Sequence, residues 1–217
     1  MRTPKINIEP IVQLTLQIVL FISLTFVCSI NSKAQIAIIA GGNYSTIRSN
    51  VNLENKGPII GYNFGLSFQY YPFKNIQKLS ILNELEYIQK GYQQDFEKKY
   101  SFKFNYLALP ILISYSVSKN LSIHTGVELS DLITTNIKQG TKTYNNFDLG
   151  LVLGLNCLID KRLSCYSRLT YGLIPMVDYY EIDELGNFKS KIHDLKNISA
   201  TIGIKFNLYN EKILLHK

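Results

Sequence analysis

The sequence predicts an all-β fold: an eight-stranded antiparallel up-and-down transmembrane β-barrel, preceded by a cleavable signal peptide. Three observations predict it. The N-terminus has the layout of an export signal, eight later stretches alternate apolar with small or polar residues, and the connections between them alternate short and long. Composition agrees: 46% of the 217 residues are hydrophobic and 18% charged, which excludes a disordered chain. Three scattered cysteines exclude a disulfide framework or a CxxC zinc site. Nothing implies a cofactor or a metal.

Taken in order, Arg2 and Lys5 precede an apolar stretch, 11–27, interrupted by Gln13, Gln17 and Ser23. Ser32-Lys33-Ala34 then supplies small residues at the two positions a signal peptidase inspects. Residues 1–34 are therefore read as a signal peptide, with a single-span anchor as the rival. Cys28 invites a lipoprotein reading, but Phe26-Val27 before it are large for a lipobox. Removal of the leader leaves 183 residues (217 − 34) and no further stretch that reads as a membrane helix. Entry into a membrane then requires a closed barrel, the arrangement that satisfies every strand's backbone groups in lipid.

The clearest strand starts at Ile60. Tyr62, Phe64, Leu66, Phe68 and Tyr70 share one parity, while Gly61, Asn63, Gly65, Ser67 and Gln69 fill the other. Alternate side chains of a strand face opposite ways, so one face is apolar and the other small or polar. The pattern recurs over 106–117, 121–130, 148–159 and 198–208. Segments 36–46, 79–92 and 163–174 fit less cleanly and complete the eight. The barrel is expected to span 35–210, with 211–217 as a short C-terminal tail.

Connections near 73–78, 118–120 and 160–162 are short; those near 47–58, 93–101, 136–146 and 176–196 are longer and polar. Short turns on one rim and long loops on the other characterise transmembrane barrels, with the short side in the periplasm. Tyr44, Tyr62, Tyr87 and Tyr171 then fall near the long-loop ends of their apolar faces, and Tyr70, Tyr115 and Phe206 near the short-turn ends. Two aromatic girdles are expected where rings sit at headgroup level. A soluble eight-stranded barrel would show the same parity with its faces exchanged. The minor parity decides, because it carries charges among many glycines, and small residues suit a narrow lumen.

Glu84, Glu86, Lys90, His124, Glu128, Asp148, Arg168 and Lys205 are therefore expected inside, as a salt-bridged plug of structural role. A gated ion path is the rival, but eight strands leave no aqueous channel once side chains are in place. Ser122, His124 and Glu128 share a face and invite a hydrolase triad. At about 3.3 Å per residue, positions 124 and 128 lie roughly 13 Å apart, beyond hydrogen-bond reach, which leaves a carboxylate from across the strands such as Glu84 as the remaining candidate. No catalytic residue is assigned. Pro110, which lacks a ladder donor, is expected to mark a bulge or bend.

Cys157 and Cys165 flank the Asp160-Lys161-Arg162 turn on the outward parity, as two small hydrophobes or a cross-strand disulfide; the sequence leaves both open. Basic residues of the rims suit outer-membrane lipid and lipopolysaccharide. The net charge of +7 forms no compact stripe with a stacking platform, so no nucleic acid partner is expected.

The run Glu84-Leu85-Glu86-Tyr87-Ile88-Gln89-Lys90-Gly91, followed by Tyr106-Leu107-Ala108-Leu109-Pro110-Ile111-Leu112, resembles the PorT-like outer-membrane β-barrel family. Asp148-x-Gly150, Gly154, Arg168-x-x-Tyr171-Gly172-Leu173 and Gly203-Ile204-Lys205-Phe206 look like its later strands. The chain departs from the pattern by running past Phe206 to Lys217. The resemblance implies an eight-stranded integral outer-membrane barrel and carries over no catalytic residue. Its role would be a structural or interaction scaffold acting through long extracellular loops. The alternative is an accessory subunit of an outer-membrane secretion machine with a protein partner; a weaker one is a lipid-modifying enzyme.

Overall fold

A computed structural model describes residues 34–49, 55–73, 75–95, 98–137, 144–182 and 188–210. The expected leader and the 211–217 tail lie outside these. Ten strands form: β1 (Ala34–Arg48), β2 (Lys56–Tyr70), β3 (Leu79–Asp95), β4 (Lys99–Ser116), β5 (Leu121–Thr135), β6 (Phe147–Leu158), β7 (Leu163–Gly172), β8 (Val177–Ile182), β9 (Phe188–Asp194) and β10 (Lys196–Asn210). Eight of them close a barrel in the order β1-β10-β7-β6-β5-β4-β3-β2, and β8 pairs with β9 outside it. Every neighbouring pair is antiparallel, including the closing β1–β10 ladder from Gln35↔Asn210 to Arg48↔Lys196.

The faces follow from parity. Ile60 is 80% exposed, Ile202 71% and Leu153 56%, whereas Glu84 is 0% exposed and Lys90 1%. Apolar side chains thus point outward and ionised ones inward. Hydrocarbon imposes no cost on an outward leucine, but an inward charge must find its partner in the lumen. Glycines make room for those charges. A Cβ on Gly154 would lie 2.9 Å from the Arg168 Cγ, and one on Gly203 would lie 2.6 Å from the Tyr166 ring. The lumen takes large side chains because the wall beside them has none.

Inside, the filling changes with height. Leu82, Leu112 and Val152 form a small apolar layer. Toward the long loops, Ile47, Ile88, Tyr92, Phe104, Tyr106, Ala108, Leu132 and Met176 form a larger cluster, joined by Phe102, Ile137, Tyr144 and Leu195. Leu195 sits between β9 and β10 with φ 62°, a left-handed conformation unusual for a leucine. Three connections therefore send an apolar side chain over the mouth.

Several expectations need correction. The 176–196 connection contains the β8–β9 hairpin instead of a plain loop. The expected 93–101 loop is mostly strand, since β3 and β4 stay paired to Asp95↔Lys99. Both segments carry polar residues on both faces, so the alternation that marks the wall disappears there. Pro110 marks no bulge: it pairs in register with Glu128 of β5, and the β4 irregularity falls between Asn105 and Tyr106. On the β3 side the ladder is interrupted opposite Pro110 without a change of register, as a missing N–H requires.

Tyr70 is 6% exposed and so does not extend the outer girdle; it is the last residue of β2, paired with Ala34 and Ile81. Asn83, Leu109 and Asp131 also hold outward register and are buried. Leu109 shares its face with Leu129 and Leu149 and belongs to neither interior cluster.

Candidate functional site

The site is the lumen, and its elements follow from the inward parity of four strands. β3 sends Glu84, Glu86 and Lys90 inward, β5 sends His124 and Glu128, β7 sends Arg168, and β10 sends Lys205. All are buried. Arg168 is the hub. Its Nη2 lies 2.5 Å from a Glu84 oxygen and its Nη1 2.7 Å from a Glu86 oxygen. Its Nε donates to His124 Nε2 at 3.2 Å, and its guanidinium stacks 4.7 Å from the Tyr166 ring centre.

Further bonds finish the cluster. Lys205 Nζ reaches the second Glu84 oxygen at 3.1 Å, where Ser67 also donates at 2.7 Å. Asn63 donates to Glu86 at 2.8 Å and to the Tyr166 hydroxyl at 2.7 Å. Ion pairs shared this way hold two carboxylates and two cations from three strands in one network. Charge-assisted bonds are the strong ones in a medium of low dielectric constant.

A separate pair lies nearer the long loops. Lys90 Nζ meets Glu128 Oε1 at 2.6 Å, with Ser130 donating to the same oxygen at 3.0 Å and the Tyr106 ring 5.4 Å from the ammonium. Asp148 accepts from Asn197 at 2.9 Å. The eight residues expected inside therefore fall into two ion-pair clusters, with Asp148 held by an amide. Reading from the sequence missed the neutral members Asn63, Ser67, Tyr106, Tyr166 and Asn197. Their signal was available as polar and aromatic residues on the inward parity.

The triad geometry does not form. His124 takes its hydrogen bond from Arg168, and Glu128 is engaged by Lys90. A base needs its carboxylate on the other ring nitrogen, and His124 Nδ1 has no partner among the described residues. Among the described residues no group of three His, Cys, Asp or Glu is placed to hold a metal ion.

On the outer wall, Tyr44, Tyr62, Tyr115, Tyr171 and Phe206 are exposed and Tyr87 is half-buried. Tyr87 stacks with Tyr62 and Phe64 at 6.0 and 5.2 Å between ring centres, and Arg48 lies 4.7 Å over Tyr171. Cys157 and Cys165 stand directly opposite each other on β6 and β7 as free thiols.

The two mouths differ. Tyr92 stacks on Phe102 at 4.8 Å, and Tyr144 meets Phe104 edge-on at 4.9 Å; burial in this cap pushes the Tyr144 phenol up. The short-turn mouth is a polar vestibule of about 150 Å³.

Residues 23–178 match the family model described as outer membrane protein beta-barrel domain. The structure is similar to Neisserial surface protein A, with 13% identity, a TM-score of 0.49, and coverage of 80% of this chain and 97% of the other. It is also similar to Ail, the attachment invasion locus protein of Yersinia pestis, at 12% identity and TM-score 0.47, covering 81% and 99%. OprG from Pseudomonas aeruginosa gives 14% identity and TM-score 0.44, covering 82% and 97%. No functionally curated protein matches the sequence.

Proposed function

This chain belongs to the outer membrane protein beta-barrel domain family, an integral outer-membrane barrel, and on that premise we propose that it works as a non-enzymatic scaffold. It acts through the surfaces at its long-loop rim and conducts nothing. The carrying observation is the closed lumen: two ion-pair clusters, the Leu82–Leu112–Val152 layer and an apolar cap occupy it in turn. A rigid barrel of this kind presents loops at fixed positions, where binding residues concentrate. The β3–β4 hairpin and the β8–β9 hairpin supply paired backbone at that rim, and outer-membrane lipid with lipopolysaccharide surrounds it.

A PorT-like role as accessory subunit of a secretion machine is the second reading. Its support is the Glu84–Gly91 run followed by Tyr106-Leu107-Ala108-Leu109-Pro110, whose Glu84, Glu86 and Lys90 all enter the lumen clusters. Purification in mild detergent separates the two. A stoichiometric protein partner favours the machine; the barrel alone, binding lipopolysaccharide and silent in planar bilayers, favours the scaffold. Lipid A mass profiles altered by deletion of the protein would instead favour a lipid-modifying enzyme and overturn both.

A further inference from the structure

We propose that the short-turn mouth of the barrel is a binding site for an oxyanion, the phosphate or carboxylate group of a periplasmic molecule. The vestibule holds about 150 Å³ and is lined by lysines, hydroxyls, amides and three leucines, with no acidic side chain among the described lining residues. Lys205 forms its floor and Lys119 stands at its rim; Ser114, Ser164, Asn156 and Asn207 lie between. A volume of this size takes a tetrahedral or planar oxyanion with a few waters. A larger molecule would enter by its charged end alone.

The floor is what makes this a site instead of a gap between turns. Lys205 is 5% exposed, and its ammonium carries three donors, of which Glu84 takes one at 3.1 Å. Glu84 is in turn engaged by Arg168 and Ser67, so Lys205 is anchored on one side while it lines the vestibule on the other. A cation held away from bulk water attracts an anion more strongly than one on a solvated rim. Ser114 and Ser164, both buried, add neutral donors. The rest of the short-turn rim carries Lys78, Lys161 and Arg162 against Asp160, a positive balance that raises the local concentration of anions around the mouth.

The test uses the full mature barrel in nanodiscs, with inorganic phosphate and acetate as probes followed by calorimetry and by ³¹P line broadening. Saturable binding is expected, weakened at least tenfold in Lys205→Gln. Because that change strands Glu84, the charge-balanced Glu84→Gln/Lys205→Gln variant serves as the folded control and should show the same loss. Lys119→Ser should weaken binding by a smaller factor. Nanodiscs of anionic and of zwitterionic lipid separate the sources: equal affinity in both assigns a soluble ligand, and competition by anionic lipid assigns a headgroup. Absence of saturable binding to either probe, or binding unchanged in both Lys205 variants, would overturn the proposal.

Discussion

Replacing Arg168 by methionine tests whether the lumen network holds the barrel together. The side chain keeps its volume and loses its charge. Glu84 retains Lys205 and Ser67, but Glu86 loses its cation and keeps Asn63 and the neighbouring Glu84 carboxyl. Removing one partner of a buried ion pair costs about 3–5 kcal/mol, and the loss here falls mainly on Glu86. With a urea slope of about 2 kcal/mol/M, the middle of the usual range, the unfolding midpoint should drop by roughly 1.5–2.5 M. The chain has no tryptophan, so far-UV circular dichroism in lipid vesicles is the suitable probe. Arg168→Met/Glu86→Leu should recover most of the loss, because exchanging a buried pair for apolar residues of similar volume is often neutral. Bilayer conductance should stay at background throughout, since Tyr166 and the apolar layers still fill the lumen. A single variant within about 1 kcal/mol of the parent, or a double variant no better than the single, would refute the reasoning.

The wall offers sharper contrasts. Gly203→Ala places a Cβ 2.5 Å from the Ala40 carbonyl oxygen and 2.6 Å from the Tyr166 ring; overpacking of this kind should cost about 1–3 kcal/mol in urea titration. Gly42→Ala, whose Cβ meets nothing within 4 Å, should leave the midpoint unchanged. Leu153→Arg puts a charge on the lipid face near mid-wall and should lower stability by about 2–4 kcal/mol in vesicles. In the lumen, Lys90 and Glu128 are shielded from ions, so removing Lys90 should cost the same at low and high salt.

The wall was legible and the ends were not. Tyr62, Phe64, Leu66 and Phe68 alternate with Gly61, Asn63, Gly65 and Ser67 because the lipid outside and the crowded lumen select opposite residue types at every second position. Above the membrane that selection stops. Gln93, Gln94 and Asp95 of β3 are polar at consecutive positions and half-buried, and the sequence of the β8–β9 hairpin is rich in charge, so neither keeps the wall's alternation. The cap was hidden for another reason: Tyr144, Met176 and Leu195 belong to separate connections, and only closure of the barrel brings them together.

In the lumen, the residues could be named from parity, but their partners could not. Arg168 meets Glu86 across 82 positions and Lys90 meets Glu128 across 38. Those meetings are set by strand stagger, which sequence periodicity does not report. Tyr70 shows the converse limit, since parity places it outward while its position at the end of β2 covers it.

Nitroxide scanning along β10 puts the orientation of the wall to the test most directly. Single cysteines at 199–206, in a background without Cys157 and Cys165, are labelled and reconstituted in vesicles. Collision with dissolved oxygen should peak at 200, 202, 204 and 206 and fall at 199, 201, 203 and 205; of these last four, 205 at the vestibule floor is the one open to a water-soluble nickel complex. Peaks shifted by one residue, placing Lys205 against hydrocarbon and Ile204 in the lumen, would contradict a barrel turned greasy side out.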